Sequence, residues 1–238
     1  MPAERNLFGF LAITLFASAL SCATNSERFS PSPIDVFPGV RAVPDGRIVE
    51  LDALSTPFFD TFEEGEIFLE LIACSPDSKE HETLLICRAK ASQIHAAMLL
   101  AGFTPGSPVV WSSENGRMNA TPPTGDRLDI HFVYDDSQGK SVEVSPHEWI
   151  VSSHTGERPP DEGFVFAGSR IVQREGETRY DADFTGTLIG LASFGGELIA
   201  YPEPISPESS IDEPVWMADQ SSVPAGDVPV VIRITARR

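Results

Sequence analysis

Cys74, His81, Glu82 and His95 are the residues of this chain whose types and spacing come nearest to a reactive centre. Thiolate, imidazole and carboxylate are the donors Zn²⁺ takes, roughly 2.0–2.3 Å from the metal. The same groups could serve a thiol-based enzyme, with imidazole as the base. Lys79-Glu80-His81-Glu82 falls at the tip of an expected hairpin, and His95 lies three residues inside the helix entered by the returning strand. The chain thus comes back near its own start, where three elements can converge. The zinc-protease spacing His-Glu-x-x-His is not met, because position 85 is Leu85. A solvated charged tip with a helix-surface histidine accounts for these residues without a metal, and it is the preferred reading. A structural polar network, or a Zn²⁺ site or thiol enzyme built from the same four residues, are the alternatives.

Cys74 and Cys87 could instead bridge, which would stabilise the fold by about 3 kcal/mol in the chain-entropy picture. If Ile67–Cys74 and Glu82–Arg88 pair as a hairpin turning near Asp77, Cys74 faces about position 81, so two separate thiols are favoured over a disulfide. His131, beside Asp129 on the polar face of its strand, reads as solvated. His147 and His154 flank Trp149 without ligand spacing. The nucleophile elbow Gly-x-Ser-x-Gly is missed by one residue in Gly190–Gly195, and neither a phosphate-cradling glycine loop nor Cys-x-x-Cys occurs. No catalytic residue is assigned, and no cofactor beyond the Zn²⁺ alternative.

Lys and Arg number 17 against 35 Asp and Glu, a formal charge of −18. Such a chain has no basic face for phosphates, which argues against nucleic acid as a partner. At the N-terminus, Arg5 precedes an uncharged run from Leu7 to Leu20. A spanning helix needs about 20 apolar residues, whereas a signal-peptide core needs roughly 7–15 after a basic start. Residues 1–21 therefore read as an export signal. Ser18-Ala19-Leu20-Ser21-Cys22 resembles a bacterial lipobox, although Leu normally sits one position earlier. Cleavage there would leave Cys22 carrying diacylglycerol, and two or more acyl chains anchor stably where one does not. Ordinary cleavage after Ala19 or Ala23, giving a soluble exported protein, is the alternative. Residues 22–36 then form the lipidated cysteine and a polar tether, and 37–238 a single domain. The expected partners are the membrane, through the lipid, and an envelope protein, on the periplasmic side or the cell exterior.

The elements that must position these residues are mostly strands. Ile67–Cys74 is almost continuously apolar, as a strand buried on both faces is. Leu128–Tyr134 alternates, turns at Asp135–Lys140 and returns through Val142–Val144. Phe164–Val172, Tyr180–Phe184, Thr187–Ser193 and Asp227–Thr235 read as further strands. Ser145-Pro146 can open one helical turn holding Trp149. Gln93–Ala101 reads as the one well-defined helix, with Ser92 as N-cap and Gly102 ending it. Tyr201–Val223, with five acids, four prolines and little period, reads as a long loop or covering arm. The expected fold class is α+β, mainly antiparallel β with that helix and short helical turns.

Lys79-Glu80-His81-Glu82, Ile94–Gly102, Pro122–Asp126, Trp149 and the run Phe164–Ser169 (FVFAGS) together resemble the YdjY-type domain of exported bacterial proteins, over about Phe37 to Thr235. The resemblance implies a compartment and a class, with no mechanism attached. Some members of that family carry a ferredoxin-like cysteine segment. No cysteine follows Cys87 here, so no iron–sulfur centre is implied. The combined expectation is an exported, lipid-anchored envelope protein with a non-enzymatic binding or structural role.

Overall fold

The computed structural model describes residues 32–174 and 176–238. The expected signal (1–21) and the lipidation site Cys22 lie outside the described residues. β1 (Ile34–Phe37) and β2 (Val40–Val43) join through Pro38-Gly39, where Gly39 takes φ +72°. Pairing thus begins within the segment expected as tether. β3 (Ile48–Ser55) follows, then a 3₁₀ turn over Pro57–Glu64, β4 (Leu71–Cys74), a 3₁₀ turn over Glu80–Glu82, β5 (Thr83–Cys87) and α1 (Ala91–Leu100). β6 (Pro105–Ser107) pairs with β9 (Thr124–Gly125); between them β7 (Val110–Glu114) and β8 (Arg117–Thr121) form a hairpin that is exposed except at the Trp111–Ala120 pair. Its tip, Asn115-Gly116, has both residues at positive φ, as a two-residue type I′ turn requires.

β10 (Arg127–Asp135) and β11 (Ser141–Val144) lead to a 3₁₀ turn over Pro146–Trp149, β12 (Ile150–Ser152) and β13 (Phe164–Val165). The hairpin of β14 (Ile171–Arg174) and β15 (Glu177–Tyr180) runs into the short helix α2 (Asp181–Thr185). β16 (Thr187–Gly190), β17 (Ile199–Ala200), β18 (Trp216–Ala218) and β19 (Pro229–Ala236) complete the chain.

Eight of these strands close on themselves in the order β3-β19-β10-β13-β17-β16-β4-β5 and back to β3. The α+β expectation is therefore corrected: the domain is mostly β and its main sheet is a closed barrel. Closure turns on β3, which pairs with β19 along its length and with β5 through Ala53–Ser55. Alternation within a segment shows that it is a strand but not which distant strands it joins, so closure was invisible to periodicity. The expected hairpin between Ile67–Cys74 and Thr83–Cys87 is corrected too: β4 and β5 are parallel, Leu71 opposite Thr83 and Cys74 opposite Ile86. Tyr180–Phe184 turns helical after Tyr180, and Phe164–Val172 breaks between β13 and β14.

Register explains the core. Val49, Ile234 and Ile130 align across three strands, as do Leu51, Ile232 and Phe132, and all six are buried. The opposite face of the same strands is charged: Arg41 bridges Glu50 and Asp52 at 3.3 and 2.8 Å, and Arg233 bridges Glu50 and Glu143 at 3.0 and 2.8 Å. That face is built for water, not lipid. Where β3 passes from β2 to β5, α1 packs on β2 and β3 with Ile94 and Met98 fully buried. Its N-cap is Lys90, whose N–H donates to Gln93 Oε1 at 3.1 Å, so Ser92 lies inside the helix. Trp149 fills a second corner, its ring centre 4.8 Å from that of Phe132 and 5.3 Å from that of Tyr134. Large side chains thus occupy the core, as in small barrels generally.

Candidate functional site

Of the four residues that suggested a metal or thiol centre, His81 and Glu82 share one 3₁₀ turn with Cys74 near it, while His95 sits on α1. His81 is exposed on its 3₁₀ turn, with Nε2 3.6 Å from Glu82 Oε1 and its ring edge-on to Phe58. His95 sits on α1 against Phe166 and Tyr180, with ring centres 5.0 and 5.7 Å away. Among the described residues, no three His, Cys, Asp or Glu side chains gather to hold a metal ion. Cys74 and Cys87 are buried free thiols. Because Cys74 lies beside Ile86, Cys87 falls on the opposite face of the pleat, so the two sulfurs point apart. Burial pushes the Cys87 thiol up to about 11 and raises that of Cys74 as well. Both are held as thiols, which are poor nucleophiles. The parallel register, unforeseen from the sequence, leaves Cys74 and Cys87 as two separate thiols.

A second cluster forms where β13 gives way to β14. Gly168 and Ser169 both take positive φ, +83° and +54°, turning the chain sharply. Tyr180 donates its hydroxyl proton to Gly168 O at 2.8 Å and so accepts from His95 Nδ1 at 2.7 Å, which fixes the proton on Nδ1. Burial lowers the His95 pKa, with the Gly168 carbonyl opposing. Ser169 Oγ donates to Gly196 O at 2.5 Å and accepts from the Ala182 N–H at 3.1 Å. Two carboxylates lie beneath. Asp181 receives Arg170 Nε at 2.8 Å, and Glu197, fully buried, accepts the Gly196 N–H at 3.0 Å through Oε2 while Oε1 has no hydrogen-bond partner. Burial raises the Glu197 pKa against the pull of the backbone N–H groups of residues 194–197. Serine, histidine and acids occur together here, but Ser169 bonds to backbone, not to His95. The arrangement locks a corner and does not activate a nucleophile.

Two other surface depressions among the described residues bear on function. One, of about 830 Å³, is lined by Asp129, His131, His147, Asp161 and Arg237 among others. Within it, Arg237 Nη1 lies 2.7 Å from Asp129 and 3.0 Å from Asp161. His147 Nδ1 meets Ser145 Oγ at 2.8 Å, and burial lowers the His147 pKa.

The other is a cleft of about 510 Å³ under the arm that follows Tyr201. Its floor is Leu69, Ser152 and Ala192, and its walls are Pro204–Pro207 and Pro214–Trp216. The arm is pinned at both ends. Ser193 N–H donates to Ile205 O at 2.8 Å and Ile205 N–H to Ser193 Oγ at 3.2 Å; farther on, β18 pairs with β12 while Leu69 N–H donates to Trp216 O at 2.9 Å. Asp212 Oδ2 takes the Ser206 N–H at 2.6 Å, closing the loop between the two walls. Glu70 stands at the inner edge, ion-paired to Lys79; burial raises its pKa, with Lys79 opposing and Glu82 adding to the rise. A concave, largely apolar surface with a few convergent polar groups and a perturbed acid is the form ligand sites take.

A family model of the YdjY domain matches residues 49–235, most of the chain. The chain belongs to the YdjY domain family. No curated protein and no solved structure matches it. The matched span runs from the second residue of β3 to the penultimate residue of β19, so the family unit of this YdjY domain contains the whole barrel, the corner at Ser169 and the arm cleft. Sequence reasoning did not single out Glu70, Asp181, Glu197, Ile205 or Trp216. Gly195-Gly196 next to Glu197 did mark the place, since an added Cβ at Gly196 would lie 2.6 Å from Asp181 Oδ2. The cleft left no local signal, because its surfaces come from four separate parts of the chain.

Proposed function

We propose that this YdjY domain is a non-enzymatic binding module of the cell envelope. Residues 1–21 export it, lipid on Cys22 anchors it to a membrane facing the periplasm or cell exterior, and it docks an envelope protein partner through the arm cleft. The observation that carries the binding reading is the contrast between sites. Ser169 and His95 are bonded within their corner and Arg237 is paired with Asp129 and Asp161, whereas the cleft leaves Ile205, Val215 and Trp216 half-exposed around a concave surface. The short apolar leader and the polar segment after Cys22 support the address.

Nile red, a neutral dye that brightens in apolar surroundings, should bind the intact chain and lose that binding in both Ile205→Asp and Trp216→Ala. Unchanged dye affinity in two folded variants would remove the cleft from the account. For the address, Cys22→Ser should release the protein from membranes and abolish acyl labelling. A wild-type protein that takes no acyl label would remove the anchor.

A further inference from the structure

We infer that the cleft takes a cationic side chain, a lysine or arginine flanked by apolar residues in a partner polypeptide; this rests on the binding reading above. The arm from Tyr201 to Val223 carries Glu203, Glu208, Asp212, Glu213 and Asp219, and no Lys or Arg. Asp212 and Glu213 are exposed at the mouth of the cleft, and no Lys or Arg lines it. The Arg237 depression and the His95 depression, by contrast, each contain an arginine of the chain itself. Lys79, the cation that meets Glu70, is occupied by Glu70 and Glu82 and lies 4.4 Å over the Phe194 ring. The cleft thus pairs carboxylates at its rim with apolar walls and supplies no Lys or Arg of its own, His154 being its one imidazole.

A lysine or arginine fits that combination because its stem is apolar and only its head is charged. Ile205, Val215 and Trp216 would cover the stem, the indole face adds attraction for a cation, and Asp212 and Glu213 would receive the head. The cleft volume of about 510 Å³ is more than one side chain fills, so apolar neighbours on the same polypeptide enter with it.

The test uses the full chain and four probes: an end-blocked apolar peptide with a central lysine, the same peptide with glutamine or glutamate in that place, and hexylammonium as a free cation. The lysine peptide should bind roughly three- to tenfold tighter than the glutamine peptide, the range expected of two exposed ion pairs. That advantage should shrink as salt rises from about 0.05 to about 0.3 M, where exposed charges are screened. Glu213→Lys, an exposed substitution, should abolish the lysine peptide's advantage over the glutamine peptide. Equal binding of all three peptides would overturn the cationic preference while leaving the cleft as a binding site. Hexylammonium matching the lysine peptide would overturn the polypeptide source. If no probe binds and Nile red is indifferent to Ile205→Asp, the binding reading itself fails.

Discussion

Arg170→Met should destabilise the protein more than Asp181→Asn, although the two side chains form one ion pair. The side chain of Asp181 is 2% exposed and that of Arg170 53%, and they meet at 2.8 Å. Removing the arginine strands a carboxylate that water cannot reach, and breaking a buried pair from one side costs about 3–5 kcal/mol. Two features lower that figure: Arg174 Nη2 remains 3.6 Å from Asp181 Oδ1, and the exposed guanidinium is already screened. The expected loss is about 2–3 kcal/mol. Asp181→Asn keeps an oxygen for the Arg170 N–H and leaves the guanidinium free to turn to solvent, for a loss of about 1 kcal/mol. At about 2–4 °C per kcal/mol for a domain of this size, Tm should fall by about 4–12 °C in the first variant and about 2–4 °C in the second. Thermal and urea unfolding followed by circular dichroism would measure both. Arg170→Met/Asp181→Leu, which removes the pair together, should recover part of the loss. The reasoning is refuted if the ranking reverses, or if Arg170→Met lies within about 0.5 kcal/mol of wild type.

In the Cys22→Ser chain purified without reductant, a thiol reagent should find almost no reactive sulfur in the native state and two thiols after denaturation; zero thiols would mean a Cys74–Cys87 bridge. His95 and His147 have pKa values lowered by burial, so the unfolded chain takes up protons that the folded chain refuses. Their stabilising contribution is complete above the unfolded value of about 6.5 and fades as pH falls through it. Glu70 and Glu197 act with opposite sign, since their raised pKa values favour the folded state as pH drops toward the carboxylate range. The clean readout is therefore a difference: His95→Gln/His147→Gln should show a smaller Tm loss than wild type between about pH 7.5 and about pH 5.5, and an identical loss would contradict the assignment. Gly125→Ala should cost more than about 3 kcal/mol in urea unfolding. Gly125 has φ +135°, and an added Cβ would lie 2.1 Å from the Phe166 carbonyl oxygen, a backbone atom that cannot swing away. A loss under about 1 kcal/mol would show that the β6–β9 clip yields easily.

What could be read from the sequence was local. Alternation over Leu128–Tyr134 and through Val228–Ile234 marks β10 and β19, and Ser145-Pro146 marks the turn that carries Trp149, because each signal sits within a few residues. Barrel closure was hidden because it depends on Ala53–Ser55 finding β5 after β19 has taken the other edge of β3. The parallel run of β4 beside β5 was hidden for the same reason, and with it the fate of Cys74 and Cys87. Glu197 itself carried no signal in the sequence; only the folded corner shows it fully buried, with Oε2 on the Gly196 N–H. The arm was visible as an acidic, proline-bearing stretch, but a cleft needs a second surface, and Leu69, Ser152 and Ala192 are far from it in sequence.

The central claim is that the arm cleft is where a partner docks on an envelope-displayed YdjY domain. A photo-crosslinking amino acid placed in living cells at Pro214, on the cleft wall, and at Gln138, in the exposed turn between β10 and β11, tests it most directly. The account predicts one discrete adduct from position 214, lost when Ile205→Asp is added, and none from position 138. The same adduct from both positions, or an adduct from 214 that survives Ile205→Asp, would contradict it.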